Sequence, residues 1–400
     1  MSSAVSTLPP QLPDLTDITR YCRVEDIEPF LQMVSAAVKL DHSRIAAWNS
    51  EKERLVASIE ETQGAPLKTI HETLNQRELD RFLLIPSVNE LHQSCTDYRD
   101  TLAARVFETV LTEMNSAGLL PPAVPFALIS LGSDGREEQT LITDQDNLVV
   151  YGDGGGEEAD SYFIDFSTRL VDRLEEAGFK RCTGNIMPIN QTWRGSLSQW
   201  RRRLLSIVRY EVEDIGKNVM DLIVMSDARY VAGDKELATE LIEMIRDMER
   251  DYFQVLWGMA KAATEMQLAL GFMKRIWTEG SGEHKGEFNI KLLAWAPLVM
   301  NIRILAINQS IPATNTLKRI ALLEAEGSFS SSFARDLSEA YHTVTRQRIL
   351  IQIKALKGIQ SDSYYLNPYQ LPAVEREQLR HALIKIEELQ KINHANFHIV

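Results

Sequence analysis

Cysteine is scarce in this chain: Cys22, Cys95 and Cys182 are three residues in 400, far apart, odd in number and never in a Cys-x-x-Cys pair. That spacing offers neither a disulfide framework nor a zinc signature, and a reducing cytoplasm is the expected home. Excess positive charge is also missing. Lys and Arg number 43 against 56 Asp and Glu, a formal net charge of −13, whereas a general nucleic-acid binder needs a basic surface that releases counterions from phosphate. Nucleic acid is therefore not an expected partner, although a local basic patch stays open. The opening MSSAVSTLPPQLPDLTD lacks a basic start and an apolar core, so no secretory leader is expected there and residues 1–25 read as a disordered lead-in. Long hydrophobic runs are few. The most apolar window, Leu292 to Ile307, is interrupted by Asn301 and Arg303 and reads as too short to span a bilayer, so no membrane partner is expected. No repeat of fixed period is present.

What remains is an ordinary globular composition, 44% apolar and 25% charged, on a chain long enough for two or three domains. From about Asp26 to Leu120 glycine is rare and apolar residues recur at helical spacing, as at Leu79, Leu83, Leu84 and Val88. Pro86 breaks that run, and a further helix is expected over 94–114, ending at Gly118 before Pro121-Pro122. Residues 26–120 thus read as a helical packing or dimerisation segment. Between 121 and 233 the texture alternates. Phe126 to Leu131 reads as a buried strand, Leu148 to Tyr151 ends a second, and Thr183 to Asn190 (TGNIMPIN) is the expected third. Ala159 to Ala177 reads as an amphipathic helix closed by Gly178, and Val219 to Met225 fits either a strand or a buried helix. From 234 onward long helical periods return, joined by loops with Gly280, Gly282, Gly286, Pro312, Gly327, Pro368 and Pro372. That is the pattern of a helical bundle.

The stretch LGSDGREEQTLITDQDNLVV, residues 131–150, carries the chemistry. Asp144 and Asp146 are two apart, so at a strand end both carboxylates point to one face and can converge on the same cations. Mg²⁺, or Mn²⁺, suits such hard oxygen ligands and shares its coordination with substrate phosphates. Gly132 lets backbone approach a phosphate, Ser133 adds a hydroxyl, and Arg136 is placed to reach a phosphate oxygen. An EF-hand is excluded because Leu148 and Val149 stand where a ligand and the required glycine belong. A Walker loop is excluded because no Gly-Lys-Ser/Thr follows. Trp193, Arg194, Trp200 and the Arg201-Arg202-Arg203 run admit two readings: a cleft wall with arginines on phosphate, or buried tryptophans under a solvated basic face. Arg194 is the member expected to face substrate. His284, His381, His394 and His398 show no metal-ligand spacing.

Segment 131–150 resembles the signature of the DNA polymerase beta nucleotidyltransferase superfamily: strand, Gly-Ser, helix, then Asp-x-Asp on the next strand. The chain from about residue 70 onward more closely resembles a bacterial nucleotidyltransferase family related to the uridylyltransferases of nitrogen (P-II) signalling. The residues that carry this are LGSDGREEQTLITDQDN at 131–147, CTGNIMPINQTWRGSLSQWRRRL at 182–204 and SDARYVAGDKELA at 226–238. The resemblance implies a mostly helical α+β protein, with a polymerase-beta-type nucleotidyltransferase domain of small mixed sheet and helices at 121–233. That domain would lie between the N-terminal helical segment and a C-terminal helical substrate-binding bundle at 234–400. It implies that Gly132 and Ser133 bind nucleotide and that Asp144 and Asp146 bind the catalytic metal. A third carboxylate belongs on the neighbouring strand, but TGNIMPIN has no acid; Asp221 and Asp227 are the nearest substitutes, and Asp227 with Arg229 forms an Asp-x-Arg pattern.

The expected function is metal-dependent transfer of a nucleoside monophosphate from a nucleoside triphosphate to a protein or small-molecule acceptor, with release of pyrophosphate, in signalling or regulation. The alternatives are a nucleotide-binding regulatory module with weakened turnover that works through protein contacts, and a helical scaffold. Homo-oligomer contacts are expected to use the helical regions.

Overall fold

The computed structural model describes residues 24–62, 64 and 66–399. The lead-in expected over 1–25 lies outside the described residues except for its last two positions, which open a helix. The chain forms two compact units, Met1–Glu61 and Thr62–Val400. In the first, α1 (Val24–Glu61) is one 38-residue helix.

The second unit begins with two helices, α2 (Pro66–Leu84) and α3 (Val88–Ser116). Pro66 opens α2, where its missing N–H costs nothing. Pro86 separates the pair, and Ser87 caps α3 by accepting from Glu90 N–H. The helix expected over 94–114 is thus real but starts earlier, at Val88.

Next come β1 (Phe126–Ser130), the one-turn α4 (Gly132–Gly135), β2 (Asp144–Gln145) and β3 (Asn147–Tyr151). They are followed by α5 (Gly156–Glu176), β4 (Lys180–Arg181), β5 (Arg194–Ser196), α6 (Leu197–Val208), α7 (Ile215–Met225) and β6 (Arg229–Gly233). Four strands form a mixed sheet in the order β5-β3-β1-β6. β1 runs antiparallel to β3 and β6, while β3 and β5 are parallel. All five residues of β3 are buried. A strand covered on both faces needs a continuous apolar run, which is how this one reads in the sequence. Phe126 stacks on Phe107 of α3 and meets Phe163 and Phe166 of α5, while α8 (Lys235–Asp251) also packs on β1 and β3.

The structure overturns one expected strand and decides the state of another segment. TGNIMPIN is not a strand: Asn185 sits at φ 57°, and with Gly184 and Pro188 it breaks the segment into turns. Only Ile186 C=O reaches the sheet, accepting from Asn147 N–H at 3.0 Å. Val219–Met225 is helix, the buried stripe of α7.

The C-terminal helices are α8, α9 (Phe253–Thr264), α10 (Ala296–Asn308), α11 (Thr316–Ala325), α12 (Ser331–Leu356) and α13 (Ala373–Asn396). A small antiparallel pair, β7 (Phe288–Asn289) with β8 (Tyr365–Leu366), and a π-helical turn, Lys291–Trp295, lead into α10. Together with that turn the apolar run spans Lys291–Asn308, 18 residues, long and apolar enough to cross a membrane, which the sequence window understates. Burial rather than length identifies it: 72% of the run is buried, packed among α9, α11 and α13. Its two polar interruptions serve the core. Asn301 donates to Ala263 C=O at 3.0 Å, and Arg303 pairs with Asp227. The result is the expected mostly helical α+β fold, with a small mixed sheet between helical segments.

Candidate active site

The site forms where β1 ends and β3 begins. Leu131 N–H donates to Asp146 C=O at 2.8 Å, which closes the 131–146 excursion on itself. Gly132 follows at φ +55°, and a Cβ there would stand 2.6 Å from Asp146 Oδ2. Only glycine combines that conformation with that approach. Ser130 donates to Asp134 at 2.6 Å, and Arg229 holds Asp134 Oδ1 at 2.9 Å, so α4 is pinned from both sides.

Strand alternation aims the two aspartates. Gln145 points inward, its amide donating to Val171 and Phe179 C=O at 3.2 Å each, so Asp144 and Asp146 share the other face. The parallel pairing of β2 with β4 sets Gln145 opposite Arg181, which brings Cys182 beside Asp146. Ligand atoms of Asp144, Asp146 and Cys182 lie within 4.8 Å of one another, and among the described residues this is the one such cluster of potential metal ligands.

The electrostatics are those of a site short of positive charge. Burial, then repulsion from Asp144, pushes the Asp146 carboxyl up to about 7; a hydrogen bond with Cys182 and the charges of Lys291 and Arg136 oppose the rise. The Cys182 thiol is pushed up to about 12, first by burial and then by Asp146. Asp146 Oδ1 is buried with no hydrogen-bond partner. A divalent cation would satisfy that oxygen and relieve the carboxylate repulsion, so the residues present fit one.

Arg136 does not face this cluster as a free donor. It is 4% exposed, donates from Nε to Glu138 at 2.8 Å and pairs with Asp227. Asp227, fully buried, also pairs with Arg303 of α10 and Arg319 of α11. Burial alone would raise its carboxyl, but three guanidiniums overcome that and hold it below the usual carboxylate range. Asp227 is therefore the centre of a buried ionic node, outside the Asp144–Asp146–Cys182 cluster. Asp221 lies on α7, raised by burial, and is likewise outside the cluster. Where a third acid was sought, the chain presents a thiol.

The basic, aromatic segment follows neither reading throughout: the tryptophans are buried, but only two of its four arginines form a solvated face. Trp193 and Trp200 are core, with Trp200 donating to Val149 C=O at 3.3 Å. Arg201 and Arg202 are exposed, while Arg203 covers the Trp200 ring. Arg194 is half-buried and donates to the Pro188 and Ile189 carbonyls, bracing the loop after Cys182. Cys182 and Lys291 are the site residues the sequence did not single out. Cys182 directly precedes TGN, but a search for paired cysteines passes over it.

Residues 85–214 match the family model described as "Putative nucleotidyltransferase DUF294". Residues 253–397 match a second, described as "Putative nucleotidyltransferase substrate binding domain". The matches support a nucleotidyltransferase family. The first match contains Gly132, Ser133, Asp144, Asp146 and Cys182 and stops short of Asp227, whereas the second contains Lys291, Trp295, Arg303 and Arg348. Comparison with curated proteins finds no match.

Proposed function

We propose that this chain is a metal-dependent nucleotidyltransferase that moves a nucleoside monophosphate from a nucleoside triphosphate to a protein or small-molecule acceptor. The observation that carries the reading is the convergence of Asp144, Asp146 and Cys182, with an orphaned Asp146 oxygen, against the glycine turn at Gly132. Residues 121–233 are the proposed catalytic domain and 234–400 the proposed substrate-binding bundle.

In the reaction, an acceptor oxygen attacks the α-phosphorus, the bond to the α–β bridging oxygen breaks, pyrophosphate leaves and the acceptor loses a proton. Bound to Asp144, Asp146 and Cys182, a divalent cation would supply charge neutralisation for the phosphates and the attacking oxygen. The protein's own part is positioning. Gly132 allows the main chain close to phosphate, Ser133 offers a hydroxyl, and Arg194 braces the adjoining loop. Arg136 ties the turn to Asp227, which in turn pairs with Arg303 and Arg319 of the C-terminal helices. The net charge of −13 favours a protein or small-molecule acceptor over nucleic acid.

Incubation with α-labelled triphosphates, Mg²⁺ or Mn²⁺ and cell lysate should label an acceptor with the intact chain and not with Asp144→Ala/Asp146→Ala. Label that persists in the double variant would sink the reading. The thiol in place of a third acid favours a second reading, a nucleotide-binding regulatory module with little turnover. Saturable, cation-dependent nucleotide binding without transfer would select it.

A further inference from the structure

Among the described residues, every buried arginine but one has an ion pair or hydrogen-bond partner. Arg81 pairs with Glu78 and Glu90, Arg136 with Glu138 and Asp227, and Arg303 and Arg319 with Asp227. Arg99 donates to Thr140 C=O at 2.7 Å and to three side chains. Arg348 of α12, only 7% exposed, has no ion pair or hydrogen bond among the described residues, and its Nε is buried without a partner. Its guanidinium rests 4.2 Å from the centroid of the Trp295 ring, the ring Arg136 also covers at 5.2 Å.

Burying a cation without a counter-ion is costly, and such a group persists where it serves something the unliganded fold does not contain. Arg348 stays charged at neutral pH, since burial lowers it only to about 10. Trp295 closes the π-helical turn that Lys291 opens, and turns of this kind recur at functional sites. Lys291 is half-buried, has no carboxylate partner among the described residues, lies over the Tyr364 ring at 5.2 Å and reaches Asp146 with its charge. Two cations that form no ion pair among the described residues therefore meet one turn, Lys291 as its first residue and Arg348 stacked on its last, with Glu138 the acidic group that acts on Arg348.

We propose that Arg348 and Lys291 form a polyphosphate subsite, taking the terminal phosphates of the triphosphate and holding the pyrophosphate as it leaves. The assignment rests on the nucleotidyltransferase reading and adds the residues of the helical bundle that would engage the substrate. A guanidinium matches two phosphate oxygens at once, and stacking on Trp295 fixes its plane for that contact. The Lys291 ammonium, at the other end of the turn that Trp295 closes, adds a point charge.

The test is calorimetric binding of inorganic tripolyphosphate and pyrophosphate, with Mg²⁺, to the full chain and to Arg348→Met, Arg348→Lys and Lys291→Met, with melting temperature recorded in parallel. Expected is a tenfold or greater loss of tripolyphosphate affinity in both methionine variants, a smaller loss in Arg348→Lys, and a melting temperature for Arg348→Met no lower than that of the intact chain. Unchanged affinity in Lys291→Met and Arg348→Lys, or a lowered melting temperature with affinity retained in Arg348→Met, would overturn the subsite and leave Arg348 as packing. Should Arg348→Met fail to fold, the other two variants decide. Labelled transfer separates the two ideas: transfer that depends on Asp144 and Asp146 while polyphosphate affinity ignores Arg348 and Lys291 defeats the subsite alone. Affinity that depends on them in a chain without transfer defeats the enzyme reading alone.

Discussion

Gly132 and Gly135 stand three residues apart in one short turn, yet alanine should fail differently at each. At Gly132 the new Cβ would meet Asp146 Oδ2 at 2.6 Å, on backbone at φ +55°. Left-handed backbone costs a non-glycine residue about 1–2 kcal/mol. The clashing atom is the end of a rotatable side chain, so turning it aside adds about 0.5–1.5 kcal/mol. The melting temperature should fall by several degrees, and the chain should still fold. Function should suffer more: a rotated Asp146 no longer faces Asp144 and Cys182, and cation affinity should drop by about two orders of magnitude, since about 3 kcal/mol of coordination is at stake. At Gly135 the Cβ would come within 1.9 Å of the Asp227 carbonyl and 2.9 Å of the Ser130 carbonyl, both main chain. Neither can rotate away, so Gly135→Ala should cost at least the roughly 3 kcal/mol of severe overpacking. Differential scanning fluorimetry and calorimetric titration with Mn²⁺ on both variants test the contrast. Retained Mn²⁺ affinity in Gly132→Ala, or a Gly135→Ala chain that melts no lower than Gly132→Ala, would refute the reasoning.

Three further outcomes are expected. Asp227→Asn leaves three buried guanidiniums facing a neutral amide and should lose about 3–5 kcal/mol in urea unfolding; a loss below about 1 kcal/mol would show that the node carries no stability. Glu249, fully buried with Oε1 unpartnered, is pushed up to about 8 by burial and by Asp227, against Arg319, Arg303 and Arg246. A carboxyl raised on folding contributes stability that is present below its ordinary pKa and lost as pH climbs through the folded value. Glu249→Gln should therefore show less decline in melting temperature between about pH 4.5 and 8 than the intact chain, and parallel curves would contradict this. Cys182→Ser should weaken Cd²⁺ or Co²⁺ binding more than Mg²⁺ binding and abolish the sulfur-to-metal charge-transfer band, because soft ions favour thiolate; an unchanged band would remove Cys182 from the ligand set.

What could be read from the sequence is what local spacing controls. Gly132 and the Asp144–Asp146 alternation are local, and the buried β3 declares itself as an apolar run. TGNIMPIN misled because its apolar residues look strand-like, while Gly184, Asn185 and Pro188 turn the chain. The burial of Arg136 was not legible for a different reason. Its counter-ions are Glu138, two residues away, and Asp227, 91 residues away, and only folding brings the second into reach. The same holds for Cys182, aligned with Asp146 by the short β2–β4 pairing, and for Lys291 and Arg348, delivered by helices more than a hundred residues downstream.

The ionic node at Asp227 also bears on modularity. Thr314 and Asn315 donate to the Gly135 and Arg136 carbonyls at 2.9 and 3.1 Å, and Thr316 N–H donates to Glu138 at 2.6 Å. A chain cut near residue 234 would keep Asp227, Glu138 and Arg136 but lose Arg303, Arg319 and every one of these donors. The sheet and the helical bundle are thus welded at the turn that carries the candidate site. Neither half keeps the geometry of that turn without the other.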